Sequence, residues 1–219
     1  MTVAVGPDVV EDGLVLSLDA ANGKSYPGSG TTWTDLSGNG NTATLNAFCT
    51  YSANDGGGIV FNGSTAYVDL ATTSLISGSG AFTVEAFFNN TSSYGELLGN
   101  YGSSPYQTNY LWFATAGLYI NSSYYVPNPL TNTGKHHLIA TRSSTGYINV
   151  WQDGVQQVAN NGPNTSSIPT NIAWRIGADV NDAGEKLTGT IYVLRAYNIE
   201  LSSAQIIQNY NALRGRFGI

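Results

Sequence analysis

Leu14, Leu16 and Leu18 alternate with Val15, Ser17 and Asp19. Successive side chains on a strand point to opposite faces, so this period of two lays one wholly apolar face on a core. Phe82, Val84, Ala86 and Phe88 repeat the pattern within 81–88, against Thr83, Glu85 and Phe87. Further strand patterns fall at 42–45, 58–61, 66–70, 97–98, 110–113, 117–120, 136–141, 147–152, 155–158, 173–177 and 187–197. Gly, Asn and Ser clusters separate them, as turns between short strands do. The pattern predicts an all-β chain folded as a two-sheet antiparallel sandwich. One segment departs from it. Ile206, Ile207, Tyr210 and Leu213 recur at helical spacing, with Ser202 and Gln205 as a capping box and Gly215 as the stop signal. A single short C-terminal helix is predicted there.

Composition narrows the partners. The chain has 219 residues, a length that suits one sandwich domain over 13–219 with residues 1–12 as an N-terminal arm. Only 10% of residues are charged and the net charge is −6, without a basic cluster, so nucleic acid is not an expected partner. No stretch approaches 18 continuous apolar residues, so no membrane insertion is expected. Cys49 is alone and can form no intrachain disulfide. The first dozen residues lack the basic start and apolar run of a signal peptide, and none is expected.

An ordered set of short motifs carries a family likeness. Gly13–Asn22 is followed by Trp33-Thr-Asp35 and Ser37–Asn41, then Phe61-Asn-Gly63, Phe82–Ala86, His136–Thr141, Val150–Gly154, Ile176-Gly177, Gly189–Ile191, Tyr197-Asn198 and Leu201–Tyr210. Together they resemble laminin-G-like, concanavalin A-like lectin/glucanase jelly-roll domains over residues 13 to about 214. Tyr26-Pro-Gly28 before Trp33, with Arg214–Gly218 at the end, is similar to versions in tailed-bacteriophage virion proteins. The resemblance implies a virion-surface structural or adhesion module, decorating a capsid or tipping a fibre. It would contact other virion proteins and bind host-surface glycans. A capsid or tail assembly protein without glycan binding is the alternative, and a glycoside hydrolase the third reading.

Glycoside hydrolases on this fold carry two carboxylates on one strand, because hydrolysis needs an acid and a base or nucleophile a few ångströms apart. The 81–88 strand offers Glu85 alone, so a non-enzymatic module is expected. His136 and His137 are adjacent on a strand and face opposite sides, so they cannot chelate one metal together. Asp35, Asn39 and Asn41 set oxygen-bearing side chains at intervals in a glycine-rich turn, a candidate Ca²⁺ loop; an Asx turn that caps its own backbone is the alternative. The acidic loop 179–185 is a weaker candidate of the same kind.

Aromatics supply the ligand-binding candidates. Trp112, Tyr119 and Tyr124 lie in a stretch rich in Tyr, Asn, Ser and Gly, and Tyr147, Asn149 and Trp151 share one strand face opposite Ile148 and Val150. Rings offer flat surfaces to the C–H faces of sugars, while amides bond the hydroxyls. The competing use of these rings is to fill the sandwich or the subunit interface of a homo-oligomer.

Overall fold

The computed structural model describes residues 7–92, 94–101, 109–115, 117–121, 123–125, 133–178 and 186–219. In chain order the strands are β1 Leu14–Asp19, β2 Thr32–Trp33, β3 Ala43–Leu45, β4 Thr50–Ser52, β5 Gly58–Asn62, β6 Val68–Leu70, β7 Phe82–Asn90 and β8 Glu96–Tyr101. There follow β9 Asn109–Ala114, β10 Gly117–Ile120, β11 Ser123–Tyr125, β12 Gly134–Arg142, β13 Ile148–Gln152, β14 Val155–Asn161, β15 Trp174–Ile176 and β16 Thr188–Tyr197. One helix, α1 Ser203–Phe217, closes the described chain.

The strands form two antiparallel sheets, the jelly-roll sandwich that the alternation predicts. The first runs β14-β13-β12-β7-β16-β5-β4, and β1 also joins β16. Ten-residue β16 accommodates both neighbours on one edge: Thr188–Ile191 pair with β5, and Val193–Tyr197 pair with β1. The second sheet runs β11-β10-β9-β8-β15-β6-β3-β2. The core lies between them, where Leu16, Leu18, Val84, Ala86, Trp33 and Trp174 are sealed from solvent. Removing that much apolar surface from water is the main force holding the layers together.

Helix α1 lies across the outer face of the first sheet. Ser202 caps it, accepting from the Gln205 backbone while Gln205 Oε1 accepts from the Ser202 backbone. It does not stop at Gly215. The helix continues to Phe217, whose ring reaches Phe87 and Tyr192 at 5.0 and 4.8 Å, and left-handed Gly218 ends it. Burial of that ring outweighs the weak helix propensity of one glycine. Residues 7–12, from the expected arm, dock on this helix: the Val10 N–H donates to Asn209 Oδ1 and Gln208 Nε2 to the Asp8 carbonyl. Strands β2, β4 and β11 went unforeseen because two or three residues are too few to display an alternation. No helix among the described residues is long and apolar enough to cross a membrane.

Candidate functional site

The outer face of the second sheet bears no helix among the described residues. Facing pairs in an antiparallel ladder point to the same side, so the register lines up one row of side chains across six strand boundaries. From β10 to β2 that row reads Tyr119, Trp112, Gly99, Arg175, Asp69, Thr44 and Thr32. Solvent reaches it unevenly. Thr32, Thr44 and Asp69 are exposed, Arg175 and Tyr119 are half-buried, and Trp112 is buried.

Arg175 is the centre of the row. Its Nε donates to Asp69 Oδ1 at 2.8 Å, and its guanidinium lies 3.9 Å above the Tyr67 ring. A planar cation between a carboxylate and a ring face is held in one orientation, which a lysine ammonium would not be. Beside it opens a pocket of about 300 Å³ lined by Phe48, Ser64, Thr65, Tyr67, Arg175 and Lys186. Phe48 is 58% exposed, an apolar ring presented to water at the rim. Next to Arg175 in the row, Gly99 leaves room for Glu96: a methyl group there would collide with Glu96 Oε1. The buried Glu96 carboxylate therefore sits on the same outer face, between the Trp112 and Arg175 columns.

The structure divides the expected ligand residues between two opposite faces. Trp112 and Tyr119 belong to this row, with Trp112 packed edge-on against Tyr94 and Tyr119 at 5.0 and 6.2 Å. Trp112 is only 6% exposed, so it forms a packed floor and offers no open ring face. The Tyr124 side chain and residues 179–185 lie outside the described residues. Asn149 and Trp151 lie on the outer side of the first sheet, beside α1, while Tyr147 precedes β13, is exposed and is not part of that groove.

Asp35, Asn39 and Asn41 come together in one loop that is hydrogen-bonded to β1. The Asp35 carboxylate accepts from the backbone of Ser17, Ser37 and Asn41 and from the Ser37 hydroxyl. The amide nitrogens of Asn39 and Asn41 donate to the Leu14 and Val15 carbonyls. Both oxygens of the Asp35 carboxylate are thus used within the loop, an Asx-type clasp that ties it to β1. Among the described residues no cluster of three His, Cys, Asp or Glu side chains could hold a metal.

Glu85 is sealed beneath α1. Its Oε1 meets His137 Nε2 at 2.9 Å, and its Oε2 accepts from Asn209 Nδ2 at 2.9 Å and stands 3.5 Å from the Arg195 guanidinium. Burial opposes ionisation, but Arg195, His137 and Asn209 together hold the carboxyl below its ordinary range. His136 points to the other side of β12 and pairs with Asp153 at 2.8 Å, as adjacent strand positions must.

Sequence reasoning passed over Arg175, Asp69, Tyr67 and Glu96. The first three sit on the polar side of predicted strands, so the alternation could have marked them. Glu96 could not be found that way, because it enters the face by folding over Gly99 from beside a bulge in β8.

A two-sheet antiparallel jelly roll, with one outer face under a helix and the other bearing a polar and aromatic row, is the architecture of a lectin/glucanase-type domain. The family model described as the concanavalin A-like lectin/glucanases superfamily matches residues 62–207, and the chain belongs to that family. No curated protein matches the chain in sequence. Among solved structures it is similar to Trypanosoma rangeli sialidase in complex with the inhibitor DANA. That match has a TM-score of 0.67 and 17% identity, covering 95% of this chain and 35% of the sialidase. It is also similar to domain 4 of AbnA, a GH43 extracellular arabinanase from Geobacillus stearothermophilus in complex with arabinotriose. Here the TM-score is 0.62 and the identity 17%, covering 90% of this chain and 98% of that one. The binding domain of Paraclostridial Mosquitocidal Protein 1 matches at TM-score 0.64 and 14% identity, covering 92% of this chain and 52% of that one. The chain thus spans about a third of the length of the sialidases it resembles.

These likenesses share a fold, and they correct one expectation. A non-enzymatic module was inferred from Glu85 standing alone on its strand, yet the same fold occurs within sialidase and arabinanase chains. Glu85 is also the wrong carboxylate to judge by. It lies beneath α1, whereas Glu96, itself buried, and Asp69, which is exposed, come from different strands toward the outer face of the other sheet.

Proposed function

We propose that this chain binds carbohydrate on the outer face of its second sheet, with Arg175 as the anchoring group. The observation that carries the reading is the fixed Asp69–Arg175–Tyr67 stack beside an open pocket rimmed by Phe48. Sugar hydroxyls can bond the exposed carboxylate and guanidinium edges while a C–H face rests on Phe48 or Tyr67. The likeness to domain 4 of AbnA, a structure solved with arabinotriose, supports the ligand class without fixing the sugar. Binding of immobilised glycans by the purified chain, weakened at least ten-fold in Arg175→Ala, is the expected result. Undiminished binding by that variant would move the site elsewhere.

The setting belongs to the same proposal. The Tyr26-Pro-Gly28 and Arg214–Gly218 segments favour a bacteriophage virion surface, with other virion proteins as neighbours and host-surface glycans as ligands. Many copies on one particle would turn weak single contacts into strong attachment through effective concentration. Immunogold labelling of particles tests the placement.

One observation favours hydrolysis as a second reading: Glu96 and Asp69 share the face. Their columns are two strand spacings apart, on the order of 10 Å, close to the roughly 6.5–9.5 Å carboxylate separation of inverting glycosidases. Release of reducing ends by the chain, abolished by Glu96→Gln, would support it.

A further inference from the structure

We infer a second saccharide site on the opposite sheet, in the groove between the N-terminus of α1 and strands β13 and β14. The groove has a volume of about 460 Å³, and Thr141, Asn149, Trp151, Gln156, Glu200 and Ser203 line it. Its floor is Thr141, which faces Asn149 across the β12–β13 ladder. Thr141 is 1% exposed, and its Oγ1 has no hydrogen-bond partner. A buried hydroxyl without a partner in a polar groove is a group for a ligand hydroxyl to complete.

The walls define the ligand's chemistry. Trp151 is half-buried, packed on one side against the Ile206 cluster and leaving the rest of its indole to the groove. Trp33, Trp112 and Trp174 are all buried, so among the four tryptophans of the chain Trp151 is the one a ligand can stack on. Asn149 is fixed in place: Nδ2 donates to Glu200 Oε1 at 3.2 Å, and Oδ1 accepts from Gln156 Nε2 and the Asn160 N–H. Glu200 stands just ahead of the first turn of α1, where a carboxylate answers the partial positive charge of the helix end. With that charge already met, an anionic ligand gains nothing from the helix and is repelled by Glu200. A neutral, polyhydroxylated ligand suits an indole face, an amide lattice, a carboxylate acceptor and a free-standing serine hydroxyl. The groove therefore takes a neutral oligosaccharide. It lies on the far side of the sandwich from Arg175, so one chain could hold two glycan strands at once.

The test uses the full chain with ¹⁵N-labelled tryptophan, titrated separately with cellohexaose, xylohexaose and mannohexaose. The expected result is a saturable shift of the Trp151 indole resonance with at least one of them. Trp151→Phe and Glu200→Gln should each weaken binding at this groove at least ten-fold, read by calorimetry, while Arg175→Ala leaves the Trp151 shift intact. Glu200→Gln is a surface change and keeps the test valid if Trp151→Phe folds poorly. Absence of a saturable Trp151 shift with all three probes would overturn the site. A shift lost in Arg175→Ala but retained in Glu200→Gln would overturn it too, by assigning the ligand to the other sheet. A saturable Trp151 shift in the parent chain, with calorimetric binding unchanged in Arg175→Ala, would instead uphold this groove and count against the first site only.

Discussion

Glu85 Oε1 and His137 Nε2 are 2.9 Å apart on neighbouring strands, and neither side chain is more than 1% exposed. His137 is clamped between the Phe87 and Tyr210 rings, stacked at 4.1 and 5.6 Å, so its Nε2–H is aimed at the carboxylate. Arg195, directly opposite Glu85 on β16, and Asn209 on α1 complete the group. A charge so deeply enclosed is tolerable only while its partners remain. Glu85→Gln leaves the Arg195 guanidinium buried without its counter-charge, a loss of about 3–5 kcal/mol. Urea unfolding at neutral pH would show it as a lower midpoint.

The same group sets the acid limit. The carboxyl of Glu85 is lowered from 4.5, so its contribution is complete above that value and is lost as pH falls through the lower folded value. Stability should therefore be flat in this respect near neutrality and decline below about pH 4.5, with α1 loosening as the Glu85–Asn209 bond weakens. Thermal melts from pH 7 to pH 3 would trace it. In Glu85→Gln the acid-dependent loss should be smaller, starting from a lower baseline.

Cys49 should be a poor nucleophile. Burial pushes its thiol up to about 11, against the smaller pull of backbone hydrogen bonding at Asn46 and Tyr67. Since the thiolate is the reactive form, little of it exists at pH 8. Iodoacetamide should modify the folded chain far more slowly than the urea-unfolded one. Equal rates would mean that the thiol is freely accessible.

Gly99→Ala tests whether the floor of the second sheet's outer face is as tight as it looks. The added methyl group meets Glu96 Oε1, the end of a buried side chain that must turn aside to admit it. Overpacking of this kind costs about 1–3 kcal/mol. The melting temperature should fall by several degrees, and Glu96→Ala in the same chain should recover part of it, because the two residues share one space.

Much of the fold could be read from the chain alone. Phe82, Val84, Ala86 and Phe88 line the core as the strand period predicts, and so do Leu16 and Leu18. Leu14 does not share their face, because a bulge in β1 between Leu14 and Leu16 turns it outward against the Val10–Ile206 cluster, and Phe87 is apolar on the outer face because α1 covers it. Ser202 with Gln205 marked the start of the helix. The helix end was hidden because a tertiary contact, Phe217 against Phe87, overrode a local stop signal at Gly215. The candidate site was harder for a different reason. Its row is assembled from β10, β9, β8, β15, β6, β3 and β2, so no window of sequence contains it. Pairing register decides who stands beside whom, and a single chain's pattern of apolar and polar residues leaves register open.

Arg175→Lys separates shape from charge at that row. A lysine keeps the positive charge near Asp69 but loses the planar stack on Tyr67 and the directed Nε–H bond. If the site works by general attraction, the lysine variant should bind glycan as well as the parent. The geometry argues otherwise: the ring, guanidinium and carboxylate form a preset surface, and its value lies in requiring no rearrangement when a sugar arrives. The lysine variant should therefore bind nearly as weakly as Arg175→Ala, by ten-fold or more, which converts to about 1.4 kcal/mol. Because Asp69 is 51% exposed and loses only a surface ion pair, the stability of both variants should change by less than about 1 kcal/mol. Calorimetric titration beside thermal melts reads the two effects separately, and full binding by the lysine variant would show that charge alone is recognised.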